Sequence, residues 1–134
     1  MSDYTLSKTI PKPYDQTVEA VKAGLEEQGF GVLTEIDLTA TLHAKIGVTV
    51  PAQVILGACR PQLAYEAIQA DPAIATVLPC NVVVRTIDDS TTTVEAFDPN
   101  AMLSLSGASE PDSALTTVAT DARHRLVALL DNLS

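Results

Sequence analysis

The stretch QVILGACRPQLAYEAIQADPAIATVLPCNVVV, from Gln53 to Val84, constrains this chain more than any other. Two short apolar runs bracket an amphipathic segment, and runs of that length suit strands better than helices. Gln53 to Cys59 reads as a strand, apolar on both faces from Val54 to Leu56, the pattern of a central strand covered on each side. Pro61 fits the first turn of a helix running to Ala70 that would bury Leu63, Ala64, Ala67 and Ile68. Asp71-Pro72 starts a second, short helical piece, Pro79 closes it, and Val82 to Ile87 is the next strand. Cys59 therefore ends one strand beside a helix start, and Cys80 opens another.

The remaining elements follow from punctuation and periodicity. Thr5 to Ile10 is a strand stopped by Pro11 and Pro13, and Asp15 offers an N-cap to a helix reaching Gln28, with Val18, Val21 and Leu25 on its apolar face. Gly29 is suited to end it in the left-handed conformation. Val32 to Ile36 is a strand. Asp37 caps a helix in which Leu38, Leu42 and Ile46 form a stripe expected to be buried, ended by Gly47 before Pro51. Asp88-Asp89-Ser90 turns the chain into a hairpin whose second strand is Thr92 to Phe97. Asp98-Pro99 opens a short helix with Met102 and Leu105. A last helix, from about Asp112 to Asn132, carries Leu115, Val118, Ala119, Ala122, Leu126, Leu129 and Leu130 on one face. The order strand–helix–strand–helix–strand–helix–hairpin–helix predicts an α+β fold, a mixed β-sheet with packed helices in three layers, forming a single domain over 1–134. A strictly alternating doubly wound fold is excluded by the tight turn joining the last two strands.

Composition narrows the partners. The formal net charge is −9, and eight Lys and Arg are scattered along the chain, so the clustered cations of a nucleic-acid binder are lacking. An anionic membrane surface is disfavoured for the same reason, and no segment reaches the roughly 18 apolar residues of a spanning helix. The start, MSDYTLSKTIPKP, lacks the apolar run of a secretory signal, so a cytoplasmic location with reduced thiols is expected.

The motifs GFGVLTEIDLTATL, ILGACRPQLAYEAI, LPCNVVV and DPNAML occur in this order, and their combination resembles domain-of-unknown-function family 302 from about Gly29 to Leu105. The resemblance implies a compact α+β domain similar to the TATA-binding-protein-like fold, with a tendency to dimerise, and no established reaction. Arg60, Gln53 and the Thr76-Val77 pair depart from the family's usual residues, and Arg60 alters the charge beside Cys59.

The candidate site gathers around Cys59. A thiol at a helix start meets free backbone N–H groups and the positive end of the helix dipole, and Arg60 adds a cation. Both favour thiolate, whereas burial opposes it. Tyr65, one turn on, could donate a hydrogen bond. Glu35 interrupts an apolar strand and needs water or a partner, which Arg60 would supply if the two strands were adjacent. Cys80 suits core packing, or a role as second thiol should its strand neighbour that of Cys59. A zinc site from Cys59, Cys80, Glu35 and His43 matches no common spacing, so no metal is expected. No Ser-His-Asp pattern, phosphate loop or dinucleotide fingerprint occurs. The ligand-binding set is thus Cys59, Arg60, Glu35, Tyr65 and Cys80, with no catalytic residue or cofactor assigned. The leading expectation is a dimeric, non-enzymatic binding module whose cleft around Cys59 holds a small sulfur-containing or electrophilic ligand. Two alternatives stand beside it: a thiol-dependent redox enzyme or sulfur carrier using Cys59 with Cys80, and a structural or protein-interaction dimer without a ligand.

Overall fold

Both ends of the expected apolar strands find partners in one sheet. A computed structural model describes residues 4–106 and 114–134, with nothing stated for the side chains of 105 and 106. The elements are β1 (Thr5–Ile10), α1 (Tyr14–Glu27), β2 (Gly31–Asp37), α2 (Leu38–Ile46), β3 (Gln53–Cys59), α3 (Pro61–Ala70), a 3-10 helix (Pro72–Val77), β4 (Cys80–Asp88), β5 (Thr91–Phe97), α4 (Pro99–Ser106) and α5 (Ala114–Asn132). The order read from the sequence holds throughout. The expected start of the last helix at Asp112 lies outside the described residues.

The sheet runs β1-β5-β4-β3-β2, and every pairing in it is antiparallel. The α+β class stands, with an antiparallel sheet where a mixed one was expected. The chain leaves β2 through α2 and returns as β3 directly beside the strand it left, running the opposite way.

One face of the sheet carries most of the core. Val54, Leu56 and Ala58 of β3, Val82 and Val84 of β4, and Val94 and Ala96 of β5 are buried against Val18, Val21 and Leu25 of α1 and Leu126, Leu129 and Leu130 of α5. Alternation along the strands turns the intervening residues to the other face. On that face Ile55 and Val83 are only half-buried, and Asn81 and Ile87 are exposed. β3 is therefore next to the edge and covered on one side, a correction to the central strand expected. The stripe Leu38, Leu42 and Ile46 is also corrected: α2 buries no residue, and Ile46 is 67% exposed. A four-residue apolar repeat shows which residues share a helix face, but not whether a neighbour lies against it.

A second core cluster fills the end of the sheet near the start of β4. Leu63 and Ala67 of α3, Ile74 of the 3-10 helix, Met102 of α4 and Leu115, Val118, Ala119 and Ala122 of α5 meet there. Caps hold these short elements in place. Asp71 accepts from Ala73 N at 3.1 Å, and Asp98 accepts from Asn100 N at 2.9 Å and pairs with Arg123 Nε at 3.2 Å. Asp37 caps α2 by accepting from Ala40 N at 2.9 Å, as expected. In α1, Pro13 occupies the cap position and Asp15 falls in the first turn, so the helix starts two residues earlier than the sequence implied. At the other end of α5, Lys8 Nζ donates to the carbonyls of Leu130 and Leu133 at 3.0 and 2.7 Å, tying β1 to the helix C-terminus.

Candidate functional site

The strands bearing the two cysteines are neighbours. β3 pairs with β4 in the register Ala58↔Cys80 and Gly57↔Asn81, so Cys80 lies beside the residue that precedes Cys59. A glycine at 57 makes this end of the sheet possible, because a Cβ there would stand 2.1 Å from Thr34 Oγ1 and 2.9 Å from the Pro79 ring. Both cysteines are free thiols, each partly buried.

Cys59, Arg60 and Cys80 line one small cavity of about 30 Å³ beneath α3, α4 and α5, with Phe30, Phe97 and Met102 among its other walls. The surroundings are almost wholly apolar, and that decides the chemistry of the thiols. Burial pushes the Cys59 thiol above its ordinary value. Burial, reinforced by the negative charge of an ionised Cys59, pushes Cys80 from 9.0 up to about 11. Of the opposing influences on Cys59 read from the sequence, burial is the one that sets the direction. Arg60 is turned elsewhere. Its Nη1 meets Asp121 Oδ2 at 3.3 Å, and Asp121 also takes Arg125 Nε at 2.9 Å. The Arg60 guanidinium lies over Gly29 (φ +85°), where a Cβ would come within 3.1 Å of its Nε.

Two members of the expected set lie apart from the thiols. Glu35 pairs with Lys22 of α1 at 2.7 Å, where a bond to Arg60 was expected. Its register partner is Leu56, three residues from Cys59, and it borders a separate surface hollow with Lys22 and Asp37. Tyr65 is 59% exposed, and its hydroxyl accepts from Gln69 Nε2 at 2.9 Å. One helical turn beyond Pro61 points it to solvent, away from the strand end.

A larger feature escaped the sequence altogether. A groove of about 530 Å³ opens on the uncovered end of the sheet, walled by Val77, Leu78, Pro79 and Tyr4 and floored by Asn81, Val83, Glu95 and Phe97. Val77, Leu78 and Phe97 also line the thiol cavity, so the two spaces share these residues. Glu95 is bound to Arg85 across β4 and β5. A sequence signal existed in the clash between polar Asn81 and Glu95 and apolar Val83 and Phe97 on one strand face, but strand order was needed to bring them together. Among the described residues no group of three or more His, Cys, Asp or Glu side chains is placed to hold a metal ion, and no helix is long and apolar enough to cross a membrane.

Comparison with known proteins gives a family and no activity. The family model described as "Domain of unknown function DUF302" matches residues 6–133. Among solved structures, "Crystal structure of uncharacterized conserved protein DUF302 from Bacillus stearothermophilus" is similar, with 28% identity and a TM-score of 0.85 over 97% of this chain and 98% of that one. No curated protein matches.

Proposed function

Since the chain belongs to the DUF302 family, whose description names no reaction, we propose from its geometry that it is a non-enzymatic binding module with its ligand seated at the uncovered end of the sheet. The supporting observation is the groove of about 530 Å³ backed, through Val77, Leu78 and Phe97, by the cavity that holds Cys59, Arg60 and Cys80. Its volume is on the scale of a small-molecule site, whereas the thiol cavity alone is far too small for an organic ligand. The occupant is a small amphipathic molecule, with an apolar body against Phe97 and Leu78 and a hydrogen-bonding group facing Asn81. Cys59 and Cys80 serve as the soft apolar backing, and Glu35 and Tyr65 have no part in contact. The enzyme alternative loses support, because two thiols held protonated are poor nucleophiles.

The test is a fragment screen by amide NMR. Binders should shift Tyr4, Leu78, Asn81 and Phe97 together, and Val83→Lys, which puts a charge on the groove floor, should abolish the shifts. Shifts spread over unrelated surfaces, or unchanged in the Val83→Lys chain, would rule this site out.

The same proposal includes a homodimer formed through the β2–β3 half of the open face, in a reducing, cytoplasmic setting. Ile36 and Ile55 are register partners there, and Ile36 and the bulge residue Leu33 are 45% and 63% exposed. A self-complementary apolar row of this kind suits a two-fold interface. Sedimentation velocity should show a dimer that Ile36→Glu converts to monomer; a monomeric parent chain at high micromolar concentration would remove the dimer from the proposal.

A further inference from the structure

The groove and the small cavity meet at three side chains. Val77, Leu78 and Phe97 border both spaces, and each is only partly buried where it rests on the second core cluster. Apolar contact alone holds side chains of this kind, and at partly exposed positions they change rotamer within nanoseconds. Behind them the cavity exists because its walls are short: Ala58 of β3, Ala64 and Ala67 of α3 and Ala122 of α5 all line it. The one charged lining residue, Arg60, has its guanidinium on Asp121 at 3.3 Å. Among the described residues no buried side-chain nitrogen or oxygen lacks a hydrogen-bond partner, so no side chain in the cavity calls for a polar guest. A water there would lack the two to four polar partners it needs, although the space of about 30 Å³ is roughly the size of one. The end of a hydrocarbon chain is of similar size and needs no partner.

We propose that the occupant of the groove carries an unbranched aliphatic end, which passes between Leu78 and Phe97 and lodges in this cavity. The inference rests on the groove being the ligand site, and it names the ligand's chemical class. Asn81 on the groove floor offers both a donor and an acceptor, and Glu95 is already bound to Arg85, so the head group is neutral and polar. The cavity takes only the last one or two carbons, and it therefore measures chain length.

The experiment titrates straight-chain primary amides, from acetamide to octanamide, into protein labelled on the Ala and Met methyl groups, and follows the Asn81 amide in parallel. Every amide that binds should shift Asn81, whereas the methyls of Ala64, Ala67 and Met102 should respond only beyond a threshold chain length. Across the steps at which they respond, Kd should fall about fourfold per added carbon and then level off. Ala64→Leu fills the cavity from a half-buried wall position. It should abolish the methyl responses and that gain in affinity while leaving the Asn81 shifts in place. Met102→Ala enlarges the cavity and should extend the gain by about one carbon, both variants being checked for native circular dichroism. Methyls that stay silent while Asn81 shifts, or an unchanged Kd series in folded Ala64→Leu, would overturn the inference and leave the groove standing. Amides that move neither Asn81 nor the methyls would remove the groove reading and this inference with it. If neither variant folds, the methyl responses of the parent chain decide.

Discussion

Leu126→Ala is expected to destabilise the protein by about 2–5 kcal/mol, a large part of the roughly 5–15 kcal/mol that holds a domain folded. Leu126 is fully buried on α5 in the main core cluster, which also holds Val82 and Val84 of the sheet and Val21 and Leu25 of α1. A close-packed cluster drawn from a sheet and two helices relaxes only partly over the lost methyl groups, so a cavity remains. Ile46→Ala removes a similar amount of apolar side chain, yet should change stability by no more than about 0.5 kcal/mol, because Ile46 stands mostly in solvent on α2. Urea unfolding followed by far-ultraviolet circular dichroism gives both values in a chain with no Trp to report by fluorescence. Equal losses at the two positions would mean that α2 is covered in solution.

A second large effect is expected at alkaline pH. Burial raises the Cys80 thiol from 9.0 to about 11, so between those values the folded chain keeps a proton that the unfolded chain releases. Stability from this group is complete below about pH 9 and is lost as pH rises towards 11, by about 2–3 kcal/mol in all for a shift of this size. Tyr14, raised chiefly by burial, and Lys22, raised chiefly by its hydrogen bond to Glu35, act in the same direction. Cys80→Ala should therefore flatten the alkaline fall without removing it. An identical pH profile in the parent and Cys80→Ala chains would show that the thiol is solvated in the folded state.

These two residues mark how far the sequence could be read. Leu126 was placed correctly on an apolar stripe because α5 is long enough for seven apolar positions to agree, and the caps at Asp37, Asp71 and Asp98 were visible because a capping carboxylate acts within three residues of its own position. Ile46 misled because α2 is short, and the same spacing serves a buried face and an exposed one. Cys59 is legible as a strand end beside a helix start, whereas the balance of influences on its ionisation is not. The helix terminus and Arg60 could be named from neighbours in sequence, whereas the desolvating walls come from Phe30, Phe97, Met102 and Val118, residues scattered over the length of the chain. Glu35 went astray for a related reason: its partner is set by which helix crosses β2, and that helix carries Lys22.

The sequence by itself determined the elements, their order, the hairpin and the adjacency of cysteines to strand ends, because periodicity, proline, glycine and capping carboxylates act over a few residues. Only the tertiary structure decided that the sheet is antiparallel with one open face, that β3 lies next to an edge, and that both thiols share an apolar cavity behind a groove. Those outcomes depend on which surfaces meet across distant parts of the chain, and burial, the largest influence on the thiols, exists only once they have met.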